Sequence, residues 1–438
     1  MVTFISLFLW LVVDTLPVQV AVDPGVASVE ILLDERSVGV INGPPWQLKV
    51  DFGSTLRPHE LIAVARGEDG GELGRAEQLV NLPRSSAEVQ IVFEAGTTGH
   101  PEALRVVTES GERLKPLAIF ATFDGRALMR GPGDRFALPD HDPRQIHIVS
   151  VEAHFPGGVT ARQDVTFGGT YGSKVATELT AVPVVTAAAE LPPPEELRGL
   201  FEVHGTPVRV AAVERPGARV YVVRDQGAWP YLQRIGQQSD QRLRGISRRT
   251  MQQFRDASRD PTNPELAADR NSFHMVLANP TYARGLMLFP IGQQLDIKRW
   301  GLPWLMTHLT SDEVSITGQK LDQAVAVAGV RAAGDGRPRT VVLVLSDSPV
   351  DDGAYGAPAV RDYLRALHVP LAVWSVERGV ADGDWGPVSD ISDAGKLSKV
   401  SRRLLKSMER QWVVWVEGRH LPSAIELAPN DIGLELAQ

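Results

Sequence analysis

Short bursts of alternating apolar and polar residues, each closed by a turn signal, fill the first part of the chain. Val29-Glu30-Ile31-Leu32-Leu33 runs into Asp34, and Gly43-Pro44-Pro45-Trp46 breaks the chain before Leu48-Lys49-Val50. Asp51-Phe52-Gly53 follows, then Leu61-Ile62-Ala63-Val64-Ala65 and a turn at Gly67-Glu68-Asp69-Gly70-Gly71. Strands this short and closely spaced predict a small antiparallel sandwich, because period-two alternation buries one face while turn residues reverse the chain. The pattern then returns. Leu117 to Phe123 leads to Asp124-Gly125, Gly131-Pro132 stands 88 residues after Gly43-Pro44, and Pro156-Gly157-Gly158 follows Asp69-Gly70-Gly71 by 87. Ile146 to Phe155 places Val149, Val151, Ala153 and Phe155 on one face. A duplicated sandwich module accounts for these offsets; the plainer account is spacing common to small β domains.

A third β-rich piece has a strand at Thr177 to Val185, a stiff linker at Leu191-Pro192-Pro193-Pro194, and two strands bracketing a turn at Gly205. From Ala218 the periodicity changes. Val220-Tyr221-Val222-Val223 reads as a buried strand, followed by a helical region between Tyr231 and Ala257 and a strand at Leu286 to Phe289. Further helices are expected at Gln319 to Ala333, Ala359 to Leu367 and Leu397 to Met408. They alternate with strands at Val341 to Leu345, Val369 to Val376 and Gln411 to Val416. Strands that are apolar throughout and alternate with helices predict a mostly parallel sheet covered on both faces.

The chain has 438 residues, room for about three domains. A net charge of -8 gives no basis for nucleic-acid binding, which depends on a basic surface. The chain lacks cysteine, so disulfides, thiolate metal sites and cysteine nucleophiles are excluded. The apolar run Phe4 to Val13 is too short to span a bilayer, which takes about 20 residues. It fits either the core of a secretory leader ending near Ala21 or a buried strand; Asp14 closes it early, and no Lys or Arg precedes Arg36. The leader reading places the protein in the periplasm or outside the cell, with no stable membrane span once the leader is removed.

Several of these segments are similar to one known family. Ala218 to Gly227 (ARVYVVRDQG) resembles the first strand and loop of a von Willebrand factor A domain, and Thr340 to Gly353 (TVVLVLSDSPVDDG) resembles its fourth strand. Ser401 to Pro429, with Met408-Glu409-Arg410-Gln411-Trp412-Val413-Val414, resembles the closing helix and strand of the acidobacterial exported subgroup of that family. Leu200 to Gly205, Gly43 to Trp46 and Val50 to Gly53 also resemble segments found with that subgroup. The resemblance implies an α+β multidomain chain: Ig-like β-sandwich modules followed by a doubly wound, Rossmann-like α/β domain. The expected divisions are a leader at 1–21, sandwiches at 24–93 and 94–172, a small β segment at 173–216 and the α/β domain at 217–438.

The resemblance also implies a metal-ion-dependent adhesion site: an Asp-x-Ser-x-Ser loop, a distant Thr and a second Asp. Mg²⁺ needs near-octahedral oxygen ligands, and such a site leaves one position open for a partner's carboxylate. Here the loop reads Asp225-Gln226-Gly227-Ala228-Trp229, Gln319 stands at the threonine position, and Asp347 remains. With the hydroxyl ligands gone, the expectation is no bound metal and no other cofactor. Asp225, Gly227, Trp229, Gln319 and Asp347 then become candidates for contacting a protein partner, since ligands favour the carboxyl ends of parallel strands. Trp229 is either an exposed anchor for that partner or a core residue of the first helix. Asp225 and Asp347 would otherwise cap helices or bind loop amides.

Other constellations are weak. His59-Glu60 begins like a zinc-protease motif, but Ala63 stands where the second histidine belongs. Asp140, His141, Asp142 and His147 lack a matched further ligand. No nucleophile elbow, phosphate loop or dinucleotide fingerprint occurs. Arg242, Arg244, Arg248, Arg249 and Arg255 form either a solvated helix face or an anion-binding patch. No catalytic residue is assigned, and the expected function is non-catalytic protein interaction by an exported protein. The alternatives are a hydrolase using Asp225, Asp347 or the Asp351-Asp352 pair, and Mg²⁺-dependent adhesion through rearranged ligands.

Overall fold

The computed structural model describes residues 2–6, 8, 11–22, 25–82, 87–95, 101–110, 115–143, 145–155, 160–168, 179–188, 190–243, 271–278, 301–308, 318–334, 336–380 and 382–438. The expected strand at Leu286 to Phe289, the helix beyond residue 243 with its later arginines, and the turn at Pro156 to Gly158 lie outside these residues. Among the described residues β-sheet predominates and helices are few.

The N-terminal part is a β-sandwich. One sheet comprises Val2–Phe4, Thr15–Val22 and Gln47–Asp51; the other has the order Arg36–Ile41, Ser28–Leu33, His59–Arg66, Glu72–Val80. Alternation brings Val18, Val20, Val29, Ile31, Val50, Phe52, Leu61 and Ala63 into one core. Val2, Phe4, Phe8 and Val12 join that core, and Val2–Phe4 pairs antiparallel with Thr15–Val22.

A second sandwich repeats the plan. Its larger sheet has the order Arg126–Ala127, Ala118–Phe123, Ile146–His154, Thr160–Gly168, matching the four-stranded sheet of the first strand for strand. The opposing sheet holds Ala87–Ala95, Pro101–Ser110 and Arg135–Ala137. The boundary expected at residue 93 therefore falls earlier, because Ala87–Ala95 pairs with Pro101–Ser110. Alternation in a strand marks its buried face and not which module supplies its neighbour.

The two modules share a polar detail. Asp34 and Asp124 each sit at a hairpin turn with positive φ, 50° and 47°. Asp34 Oδ2 lies 2.7 Å from His59 Nδ1, and Oδ1 accepts the Glu60 amide at 2.9 Å. In the second module Asp124 Oδ2 lies 2.8 Å from His147 Nδ1, and Oδ1 accepts the Ile148 amide at 2.9 Å. Each aspartate thus ties its hairpin to the next strand through the same pair of atoms.

The third β module is assembled from both ends of the C-terminal region. Its main sheet has the order Val210–Glu214, Gln411–Glu417, Leu179–Val185, Glu435–Leu436, and a smaller sheet joins Thr206–Pro207, Phe201–Val203 and Ile425–Leu427. Two expectations are corrected here. Gln411–Glu417 does not close the parallel sheet; it pairs antiparallel with Leu179–Val185 and Val210–Glu214. The α/β domain therefore ends near residue 410 and is inserted within the β module. Val413, Val414 and Val416 are buried, as a strand of either sheet would be, so composition could not choose between them.

Among the described residues, the inserted domain has five parallel strands: β1 (Arg219–Arg224), β2 (Ser272–Leu277), β3 (Arg339–Leu345), β4 (Leu371–Ser375) and β5 (Val388–Asp390), in the order β2-β1-β3-β4-β5. Its described helices are α1 (Trp229–Leu243), α2 (Gly301–His308), α3 (Leu321–Gly334), α4 (Ala357–Ala366) and α5 (Ala394–Met408). Tyr221, Val223, Val341 and Leu343 pack against α3 and α4, while Val220, Val222, Val342 and Val344 pack against α1, α2 and α5. Burial on both faces explains why β3 is apolar without alternation.

The two sandwiches dock on this domain by opposite means. Leu11, Leu56 and Leu82 of the first enter the apolar core around α3 and α4, and the Tyr363 hydroxyl donates to the Asn81 carbonyl. The second presents Glu152, which lies 2.7 Å from His154, 3.4 Å from Arg337 and 4.0 Å from Arg219. Burial alone would raise the Glu152 carboxyl, but the His154 hydrogen bond and the two guanidinium groups hold it far below the usual carboxylate range.

Candidate functional site

The carboxyl end of β1 runs directly into Asp225, which opens a short 3₁₀ turn at Gln226–Ala228 before α1. Asp225 is 1% exposed. Its backbone amide donates to the Val344 carbonyl at 2.8 Å, so the parallel register with β3 places its side chain beside Ser346. Oδ1 accepts the Gly227 amide at 3.0 Å and Gln319 Nε2 at 3.1 Å. Oδ2 accepts the Ser346 amide at 3.0 Å, together with a short bond from the Ser346 hydroxyl. Four donors on two oxygens take up the lone-pair directions of a carboxylate. The site is closed from within.

Gln319 completes the closure. It is fully buried, and its Oε1 accepts the Gln226 amide at 2.9 Å while its Nε2 reaches Asp225. One side chain thereby satisfies both the turn's backbone and the carboxylate. Gly227 is required by packing: a Cβ there would lie 2.8 Å from Ser346 Oγ and 3.2 Å from Asp225 Oδ2.

Asp225, Gly227 and Gln319 lie in contact, but Asp347 and Trp229 make no hydrogen bond to them. Asp347 stands two residues beyond the end of β3 and is exposed. Trp229 is half-buried, packed beside the core of α1, with Arg224 4.2 Å from the centroid of its ring. The exposed-anchor reading of Trp229 is corrected accordingly: the indole covers a guanidinium that burial pushes down to about 10. Ser346 is the contact that sequence reasoning missed. Its signal was its place just before Asp347, yet only the register of two strands far apart in sequence shows which of the two residues faces Asp225.

The remaining carboxylates have separate duties. Asp351 Oδ1 accepts the Leu321 and Gly353 amides, both at 2.9 Å, and Oδ2 accepts the Asp322 amide at 3.2 Å, so Asp351 caps the start of α3 from another loop. Burial and the neighbouring Asp322 raise its carboxyl. Asp352 accepts the Gly318 amide at 2.9 Å. Asp322 receives the Tyr355 and Gly356 amides at 2.6 and 3.0 Å, pressed so close to Gly353 that no side chain fits there. Among the described residues, no three His, Asp or Glu side chains are grouped so as to hold a metal ion, and no helix is long and apolar enough to cross a membrane.

No protein-family model matches this chain, and no curated protein matches it. Solved structures with partial likeness include the fibronectin(III)-like modules of Clostridium thermocellum CbhA, at 16% identity and a TM-score of 0.17, covering 18% of this chain and 93% of that one. Another is proximal thread matrix protein 1 from the mussel byssus, described with a zinc-occupied MIDAS motif. It gives 11% identity and a TM-score of 0.27, covering 44% of this chain and 48% of that one. The central fibronectin-III array of RIM-binding protein gives 10% identity and a TM-score of 0.21, covering 46% and 81%. With scores this low, the architecture rests on the strand pairing of this chain itself.

Proposed function

We propose that the chain is a non-catalytic interaction protein whose inserted α/β domain is a von Willebrand factor A-like domain with its cation position closed by protein groups. The observation that carries this reading is the carboxylate of Asp225, buried and engaged by Gly227, Ser346 and Gln319. A divalent cation there would have to displace at least one donor and strand it in the core, at a cost of about 1–3 kcal/mol for each group left unmet. Recognition would then proceed through shape and ordinary side-chain contacts at the carboxyl edge of the parallel sheet, with the β modules as spacers. A protein partner and an extracytoplasmic setting belong to the same proposal; its support is the order of the sequence motifs.

Two measurements test it. Calorimetric titration with Mg²⁺ and Mn²⁺ is expected to give no binding heat and no thermal shift; saturable binding that disappears in Asp225→Asn would overturn the closed site. Crosslinking and mass spectrometry in the native host are expected to recover a protein partner. Its crosslinks should map to residues 346–356, 376–380 and 382–387, which border this edge. Loss of every macromolecular crosslink would sink the interaction reading.

A further inference from the structure

The edge position of the repeated four-stranded sheet is filled unequally in the two sandwiches. In the first, Arg36–Ile41 pairs along Ser28–Leu33 from Leu33↔Arg36 to Val29↔Ile41. In the second, the equivalent strand is only Arg126–Ala127, paired at Phe123↔Arg126 and Thr122↔Ala127, with one further bond of 2.8 Å from the Leu128 amide to the Ala121 carbonyl. The cause is visible in the chain. After the turn, residues 36–42 precede the break at Gly43-Pro44-Pro45, but only residues 126–130 precede Gly131-Pro132-Gly133. Glycine and proline end the strand early, and Arg130 bridges instead to Phe136 on the opposing sheet.

Among the described residues, the first half of Ala118–Phe123 is therefore paired with Ile146–His154 on one side and left without a strand on the other. Large apolar side chains gather there: Leu117 is 73% exposed, Phe120 47% and Met129 89%. Extending the Thr122↔Ala127 register by two residues sets Met129 opposite Phe120 on one face. Leu117 to Phe123 (LAIFATF) carries no charge and no proline, the devices that usually blunt an open edge.

We propose that this edge receives an extended segment of a partner protein, which adds an antiparallel strand beside residues 117–119, where the Leu128 and Met129 backbone no longer follows the edge, and covers Phe120 and Met129 with apolar side chains at alternate positions. The first module specifies the occupant, because its own equivalent place is taken by Arg36–Ile41 (RSVGVI), with Val38 and Val40 alternating on the outer face. Backbone hydrogen bonds would supply affinity and the alternate side chains selectivity. The inference rests on the reading of the chain as an interaction protein, but not on the parallel-sheet edge as the contact surface.

The test is hydrogen–deuterium exchange of the full chain with a blocked synthetic peptide of residues 36–41, added up to its solubility limit. Exchange over residues 117–123 is expected to slow by about threefold or more. That protection should vanish in Phe120→Lys/Met129→Lys and persist in Leu73→Lys, an exposed control on the first sandwich, and in Trp229→Ala. A thermal melt confirms that the double variant is folded. No slowing at residues 117–123 in the wild type, or equal slowing in the double variant, overturns the inference. If crosslinks to a native partner survive in that case, the proposed function stands without it; if protection fails only in Trp229→Ala, the contact belongs to the parallel-sheet edge and the inference is again overturned.

Discussion

Gln319 Nε2 lies 3.1 Å from Asp225 Oδ1, and the same side chain accepts the Gln226 amide through Oε1 at 2.9 Å. A residue at the start of the α3 region thus locks the loop after β1, and both ends of its amide are used. Gln319→Leu is expected to destabilise the protein by about 2–4 kcal/mol, because it leaves a buried carboxylate oxygen and a buried backbone amide unmet. Urea denaturation would check this. A change below about 0.5 kcal/mol would mean that water reaches the site freely.

Arg339 is a second buried keystone, 1% exposed. Its guanidinium donates to the carbonyls of Ala333, Leu367 and His368 at 3.0, 2.9 and 3.2 Å, gathering the C-terminal ends of α3 and α4 where helix dipoles favour a cation. Arg339→Met is expected to cost about 3–5 kcal/mol, since it leaves those carbonyls without their donor. Arg339→Lys should recover only part of this, because a single ammonium cannot match the guanidinium's fork. Chemical denaturation of the two variants would separate charge from geometry.

His368 should make stability fall on mild acidification. Burial lowers its imidazole from 6.5 to about 4, despite its 2.8 Å contact to the Pro422 carbonyl; nearby Arg339 adds to the lowering. With the folded value below the unfolded one, the unfolded chain binds the proton first. Stability is therefore fully present above the unfolded value, falls as pH drops from 6.5 toward 4, and levels off below. The loss is expected to be of the order of 3 kcal/mol. His368→Asn retains a residue type that tolerates the positive φ of 53° and should flatten the stability profile across that window.

The repeated aspartate–histidine ties predict matched effects. Asp34→Ala removes the bonds to His59 and the Glu60 amide; Asp124→Ala removes those to His147 and the Ile148 amide. Each is expected to cost about 1–2 kcal/mol, near the worth of two partly exposed hydrogen bonds. Denaturation of the two single variants should give values within about 0.5 kcal/mol of each other, and the double variant their sum, because the sites lie in separate modules. A strongly unequal pair would argue that only one tie bears on its sandwich.

Local patterning was enough to reveal the short strands, the turns at Asp34 and Asp124-Gly125, the repeat offset and the buried strands β1 and β3. Each of these depends on residues adjacent in sequence, where alternation, backbone conformation and apolar content act directly. The residues Asp225, Gly227 and Gln319 were also legible as one neighbourhood, through the order of motifs along the chain. What the chain could not disclose was pairing. Gln411–Glu417 carries the same apolar signal whether it ends a parallel sheet or joins Leu179–Val185, and Ala87–Ala95 suits either sandwich. Ser346 rather than Asp347 faces Asp225 because a strand's side chains alternate, so a shift of one position between β1 and β3 would exchange them. Register and partner choice arise from burial summed over whole sheets, and that sum exists only once the distant segments have met.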